Sequence, residues 1–416
     1  MFPIDELRRE FPALATAGDF LFFDNAAGAQ IPASVLGAVT DHLVSRNVQR
    51  GGPYGRSREV DAMIARTREA VAAFVNARSP GEIAFGLNAT SFIRSISLAV
   101  GQTLGARPEI VVSDLDHEAN IATWVALERL GARIVWWKVR DDHRLHVEDL
   151  EPLVSKRTRL VACTMASNAT GTRVDVARAA GVAHAAGAEV FLDAVHFGPH
   201  GSIDVQAIDC DYLVCSGYKI FAPHMGFAWC RAEAINRLPT FREDFIPDVT
   251  PDKLEAGTYV YENVAGMEAV VEYFERLGRR MGAADGLSRT KRIGRAMDAI
   301  AAYERMLSSA LLDAVSSVDG ATVHGITDRN RLDDRVPTIA FSVRGVSPSA
   351  IATELATSGI GARSGHMYAP RLMHRLNRMP DGVVRVSLVH YNTLAEVTRF
   401  RETLSRIVAA TPSQPA

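Results

Sequence analysis

The sequence predicts an α/β protein, with a large domain built on a mainly parallel sheet and a smaller α+β domain after it. Three observations predict it. Short apolar runs alternate with amphipathic stretches, these runs end in polar or small residues, and near residue 250 the pattern changes to longer helical stretches. Taken in order, EIVVSDLDH reads as a buried strand and ANIATWVALERLG as the helix that follows it. ARIVWWKV and TRLVACTMAS are the next two strands, DVARAAGVAHAAG a second helix, and AEVFLDAVH and CDYLVCSGYK two further strands. Unbroken apolar runs suit strands covered on both faces, and intervening helices suit parallel crossovers. EAGTYVYENVAGMEAVVEYFERLG then opens a helical region running to about Val318. TVHG, VPTIAFSVRG, GIGARSG and VVRVSLVHYN follow as strands with helices between them. The predicted boundaries are an N-terminal arm at 1–20, a large domain at 21–255, and a linking helix with a small C-terminal domain at 256–416. The last residues, TPSQPA, read as a frayed polar tail.

With 416 residues, 47% hydrophobic and 23% charged, the chain can bury a large core. A net charge of -2 makes no electrostatic case for nucleic acid or an anionic membrane. The opening MFPIDELRREFPAL has no apolar leader core, and no run reaches the roughly 18 apolar residues of a membrane span. A soluble cytoplasmic protein is therefore expected. Cys163, Cys210, Cys215 and Cys230 form no CxxC pair and lie in or beside apolar runs, so they read as buried free thiols. His196 and His200 are four apart, but Gly198 and Pro199 argue against a helix presenting both to a metal. GGPYGRS lacks the GK[ST] of a phosphate-binding P-loop, and no GxSxG is present. Trp136 and Trp137 read as packing residues.

In parallel sheets ligands bind outside the carboxyl ends of the strands. Asp114, Asn168, Asp193 and Lys219 all fall there. Lys219 follows the apolar run Tyr212 to Cys215 and the small pair Ser216-Gly217, where its amine has little water. Desolvation lowers a lysine's pKa toward the neutral amine. Asp193 ends the preceding run, where a carboxylate can pair with a protonated ring nitrogen. Such a carboxylate and a lysine able to form a Schiff base are the two groups pyridoxal 5'-phosphate requires. GLNATSFIRS places Asn88, Ala89, Thr90 and Ser91 at a helix start, where N-H groups and hydroxyls can hold a phosphate. MASNATGT offers Asn168 as a hydrogen-bond donor, and SDLDHEANI offers the flat ring of His117. Each signal alone is weak and reads more readily as a cap or a satisfied polar residue; their order along the chain makes the set specific.

FFDNAAG, NATSFI, DHEANI, SNATGT, DAVH, SGYK, EAGT, ARSGH and RVSLVHYNT, in this order, resemble the cysteine desulfurase-like branch of the class V aminotransferases, from about Phe22 to about Phe400. The resemblance implies fold type I, a pyridoxal phosphate-binding large domain, an amino-acid substrate, and a homodimer with active sites at the subunit interface. It implies Lys219 as the Schiff-base lysine, Asp193 as the partner of the ring nitrogen and His117 as the stacking ring. Asn168 falls near the cofactor's phenolic oxygen, and Ala89, Thr90 and Ser216 at phosphate-binding positions. Thr258 is expected to reach the neighbouring subunit's phosphate. His196 and Tyr218 stand at cofactor-contacting positions where many members have glutamine and histidine. Arg385 matches the arginine that grips the substrate carboxylate, a task suited to its bidentate fork, with Arg363 and Asn25 beside it. An ordinary ion-pair role for the two arginines is the alternative.

One departure bears on function. In desulfurases of this branch the loop matching ARSGHMYAP carries a cysteine that takes the substrate sulfur as a persulfide. Here Tyr368 stands at that position, and a phenol with a usual pKa of about 10 is a poor nucleophile toward sulfur. The resemblance then implies chemistry at Cα and Cβ that needs no thiol. A β-eliminating carbon-sulfur lyase is the first expectation, with Tyr368 or His366 as an acid near the leaving group. Alternatives are a cysteine desulfurase or selenocysteine lyase, an epimerase or aminotransferase, and a catalytically silent cofactor-binding protein.

Overall fold

The computed structural model describes residues 2–410, so the predicted tail TPSQPA lies outside the described residues. Seven strands form the main sheet: β1 (Ile83–Gly86), β2 (Glu109–Ser113), β3 (Arg133–Trp137), β4 (Thr158–Thr164), β5 (Glu189–Asp193), β6 (Tyr212–Ser216) and β7 (Gly226–Cys230). Their order is β1-β7-β6-β5-β4-β2-β3. β2 to β6 pair in parallel, while β7 pairs antiparallel with both its neighbours. All five runs predicted as strands are strands; β1 and β7 are additions. Between β6 and β7 there is no room for a crossover helix, so the chain turns straight back and pairs antiparallel.

β2, β4, β6 and β7 are buried at every residue. Alternation divides them between two cores. Val111, Val161, Leu192 and Leu213 face one cluster, and Ile110, Val112, Leu160, Phe191 and Val214 face the other. Each such side chain contributes roughly 1.5–3 kcal/mol of burial, which makes the sheet a rigid platform for whatever its strand ends carry.

A helix α1 (Ala89–Gly101) covers one face of this sheet. Two long helices follow the sheet, α2 (Tyr261–Arg280) and α3 (Arg289–Ser316). The single helical region predicted to Val318 is thus two helices, broken where Gly282 takes a φ of 84° that ends the first. Beyond them β8 (Ala321–His324), β9 (Thr338–Val343), β10 (Arg363–Gly365) and β11 (Val383–Ser387) form an antiparallel sheet in the order β10-β11-β9-β8. Ile339, Phe341, Val384, Val386 and Phe400 pack its own core.

The N-terminal segment is tied to both parts. Phe11 is fully buried against Phe221, Tyr273 and Tyr391. Leu21–Phe22 pairs in parallel with Ile360–Gly361, carrying the chain past the edge of the small sheet toward the ends of the large one. Among the described residues no helix is long and apolar enough to cross a membrane, and no group of three or more His, Cys, Asp or Glu could hold a metal ion.

Candidate active site

Lys219 lies in the tight turn Gly217–Lys219 that leaves β6, and it is buried. Burial and the charge of Arg385 pull its amine down to about 8, against the opposing pull of Asp193. Asp193 closes the neighbouring strand β5, and its buried carboxylate accepts from the Val195 N-H at 2.8 Å. Burial pushes that carboxyl above its usual range. A cation placed against Asp193 would relieve that strain.

His117 follows β2, its Nδ1 accepting from the Ala119 N-H at 3.0 Å. Burial, Lys219 and Arg385 push it down to about 4, so it presents a neutral ring. Asn88 caps α1, its side chain accepting from the Ser91 N-H at 2.9 Å, and the Ala89 N-H donates to Ser216 Oγ at 3.3 Å. This junction depends on Gly226, where a Cβ would stand 2.5 Å from the Asn88 backbone carbon. Only glycine lets β7 bring the start of α1 against the end of β6. Asn168 Nδ2 donates to the Met367 carbonyl at 2.6 Å, while its buried Oδ1 has no partner within the protein. His196 is buried and shares a hydrogen bond with Thr338 Oγ1 at 3.0 Å.

The small sheet supplies two cations. Arg385 on β11 stands directly opposite Arg363 on β10, a like-charge pair that is destabilising by itself. Asp24 resolves it: Oδ1 accepts from Arg385 Nη2 at 2.7 Å and Oδ2 from Arg363 Nε at 3.0 Å. Arg385 Nη1 also donates to the Asn168 carbonyl at 2.9 Å, and its buried Nε has no partner. Burial pulls this guanidinium below its usual range.

These groups converge. A deep cavity of about 50 Å³ is lined by Ala89, Thr90, His117, Asn168, Asp193, His196, Ser216, Tyr218 and Lys219. An outer cavity of about 740 Å³ shares Thr90, His117, Asn168, Ser216, Tyr218 and Lys219 with it and adds Ala26, Ala27, Arg94, His224, Arg363, Tyr368 and Arg385. Tyr368 is 56% exposed, with its ring 5.7 Å from that of His117.

Four residues singled out from the sequence are not brought to these cavities. Asn25 is buried with its amide donating to Phe22 and Ser387 carbonyls, so it ties strands together while its neighbours Ala26 and Ala27 line the cavity. His366 turns back, its Nδ1 accepting from the Tyr368 N-H at 3.1 Å. Thr258 is exposed and accepts from Gln49 Nε2 at 3.0 Å, so any phosphate contact it makes needs a second subunit. Asp114 accepts from the Val139 N-H at 2.7 Å and faces away. Conversely, sequence reasoning missed Asp24, Arg94 and His224. Asp24 sits inside the motif FFDNAAG, but its arginine partners are 339 and 361 residues away, so no local signal marks it.

The family description "Aminotransferase class-V" matches residues 21–400. The chain belongs to the class V aminotransferases. It is 33% identical to the aminotransferase-like protein FGM3 of Gibberella zeae, over 98% of this chain and 99% of that one. It is 31% identical to a probable cysteine desulfurase of Synechocystis sp., over 97% and 95%. Among solved structures, the cysteine desulfurase CsdA of Escherichia coli, in an S-sulfonic acid form, superposes with a TM-score of 0.84 at 27% identity, covering 98% of this chain and 99% of that one. An apo cysteine desulfurase of Thermococcus onnurineus shares the fold with a TM-score of 0.87 at 24% identity, over 99% of each chain. The fold is fold type I, and the class V aminotransferase is a pyridoxal 5'-phosphate-dependent, cysteine desulfurase-like enzyme.

The cavity suits that cofactor. It offers a buried carboxylate for a ring nitrogen, a desolvated amine for an aldehyde, a neutral flat ring, and hydroxyls at a helix start for a phosphate. The four cysteines, by contrast, are fully buried and line neither cavity.

Proposed function

We propose that this enzyme is a β-eliminating carbon-sulfur lyase that works without a persulfide cysteine, as a homodimer. The observation that carries the reading is the cavity mouth, where Tyr368 is presented and no thiol is. The thiolate, not the thiol, is the nucleophile, and burial pushes all four thiols up, Cys215 to about 12. Relatives named cysteine desulfurases support action at a carbon-sulfur bond.

Pyridoxal phosphate, when bound, supplies an electron sink that stabilises negative charge at the substrate Cα. Asp193 would keep the ring nitrogen protonated, and His117 would cover the ring face. Asn168, Tyr218 and His196 would flank it, while Ala89, Thr90 and Ser216 hold the phosphate, joined by the partner subunit's Thr258. Arg385 and Arg363, held toward the cavity by Asp24, would bind the substrate carboxylate. That clamp fixes Cα beside Lys219. With its pKa near 8, the Lys219 amine is unprotonated in roughly one molecule in ten at pH 7, far more than for an ordinary lysine, and in that form can take the Cα proton. The Tyr368 hydroxyl, which lines the outer cavity, can give a proton to the departing sulfur.

The test is product analysis of the holoenzyme with L-cysteine, L-cystine and cysteine conjugates, with a Lys219→Ala control. Lysine-dependent pyruvate and ammonia are expected. Alanine as the main product would overturn the reading in favour of desulfuration, and an inverted amino acid would favour epimerisation.

A further inference from the structure

We propose that Arg94 binds the phosphate of the cofactor and supplies the positive charge that the rest of this chain's phosphate site lacks. This rests on the cofactor reading and is independent of which reaction follows.

A bound phosphate ester carries close to two negative charges near neutral pH. The groups assigned to it above, the Ala89 N-H and the Thr90 and Ser216 hydroxyls, are all neutral, and the Asn88 side chain is committed to capping Ser91. The other cations lining the outer cavity have tasks of their own. Arg363 and Arg385 are both engaged with Asp24, and Lys219 serves the reacting end. Arg94 lines the same cavity, and among the described residues its guanidinium has no hydrogen-bond or ion-pair partner.

Its position on α1 directs it. Arg94 lies one helical turn after Thr90, and residues four apart share a helix face with Cβ atoms about 5–6 Å from each other. Helical side chains also lean toward the N-terminus, so Arg94 leans back over Thr90. A phosphate held at that helix start is the anion this guanidinium would meet. Arginine suits that anion, since its fork can give a phosphate two parallel charge-assisted hydrogen bonds.

The experiment strips the holoenzyme of cofactor and titrates it with pyridoxal 5'-phosphate and, separately, with pyridoxal, which lacks the phosphate. For Arg94→Gln, affinity for the phosphorylated form is expected to fall about 10- to 100-fold, with pyridoxal binding unchanged and most affinity retained in Arg94→Lys. The 31P resonance of the bound cofactor is expected to titrate in Arg94→Gln at a higher pH than in the unsubstituted enzyme. Unchanged affinity for pyridoxal 5'-phosphate overturns the proposal, and so does an equal loss for both ligands. A readout that needs no variant is phenylglyoxal labelling of the unsubstituted protein, mapped by peptide mass. Inorganic phosphate and pyridoxal 5'-phosphate should shield Arg94 while pyridoxal does not; labelling indifferent to phosphate, or an Arg94 that never labels, overturns it. Failure of pyruvate formation would leave this result standing.

Discussion

Lys219 is the residue whose burial matters most to the chemistry, and the same burial has a cost in stability. In the cofactor-free protein its amine sits at about 8, below the roughly 10.4 of an unfolded lysine. Between those values the unfolded chain binds a proton that the folded chain has lost, so stability rises with pH there, by at most about 3 kcal/mol. Below pH 8 the full cost is present. Denaturant unfolding of cofactor-free protein at pH 7.5 and pH 10 should show this rise, and Lys219→Met should flatten it; a rise of the same size in the variant would assign it to other groups. Tyr368→Phe is expected to lower turnover about 10- to 100-fold on a substrate with a poor thiol leaving group, with KM little changed. An unchanged rate removes Tyr368 as the acid. Asp24 is the third sensitive position, because it separates two opposed guanidinium groups. Asp24→Asn should destabilise the protein by about 3 kcal/mol, measured by chemical denaturation, since a buried charge loses its partner.

The start of α1 and the end of β6 meet only because β7 passes between them without a side chain at Gly226. Gly226→Ala forces backbone to move, and overpacking of this kind costs about 1–3 kcal/mol. The expected signature is a lower melting temperature together with weaker cofactor binding, since the displaced element carries Ala89 and Thr90. Weaker melting with intact cofactor affinity would separate the helix start from the phosphate site. The antiparallel β7 was not legible in advance. GFAWC is apolar throughout, as are its parallel neighbours, and burial on both faces erases the alternation that distinguishes strand directions.

The proposed homodimer places a demand on Thr258 that one chain does not meet. Thr258 is exposed and outside its own chain's cavity, and Phe241 and Phe245 stand 94% and 82% exposed on the segment leading to it. Sedimentation of the holoenzyme should show a dimer at micromolar concentration. Phe241→Ser with Phe245→Ser should shift the mass toward monomer if that segment is part of the interface; a monomeric unsubstituted enzyme that still turns over would exclude a shared active site.

What the sequence determined by itself was local. Apolar runs ending in polar residues specify five strands, although the one at Arg133–Trp137 lies at the sheet edge and is only partly buried, and the same runs place Asp193 and Lys219 at strand ends, where a carboxylate and a desolvated amine acquire their chemistry. Asn88 at the start of α1 is equally local, since a cap acts within one turn. Tertiary structure decided what depends on distance through space. It brought Asp24 between Arg363 and Arg385, took the Asn25 and His366 side chains out of the cavity that their neighbours line, and left Arg94 facing it without an acid. Periodicity reports which face of an element is buried, whereas an ion pair between residues hundreds of positions apart exists only once two sheets have packed together.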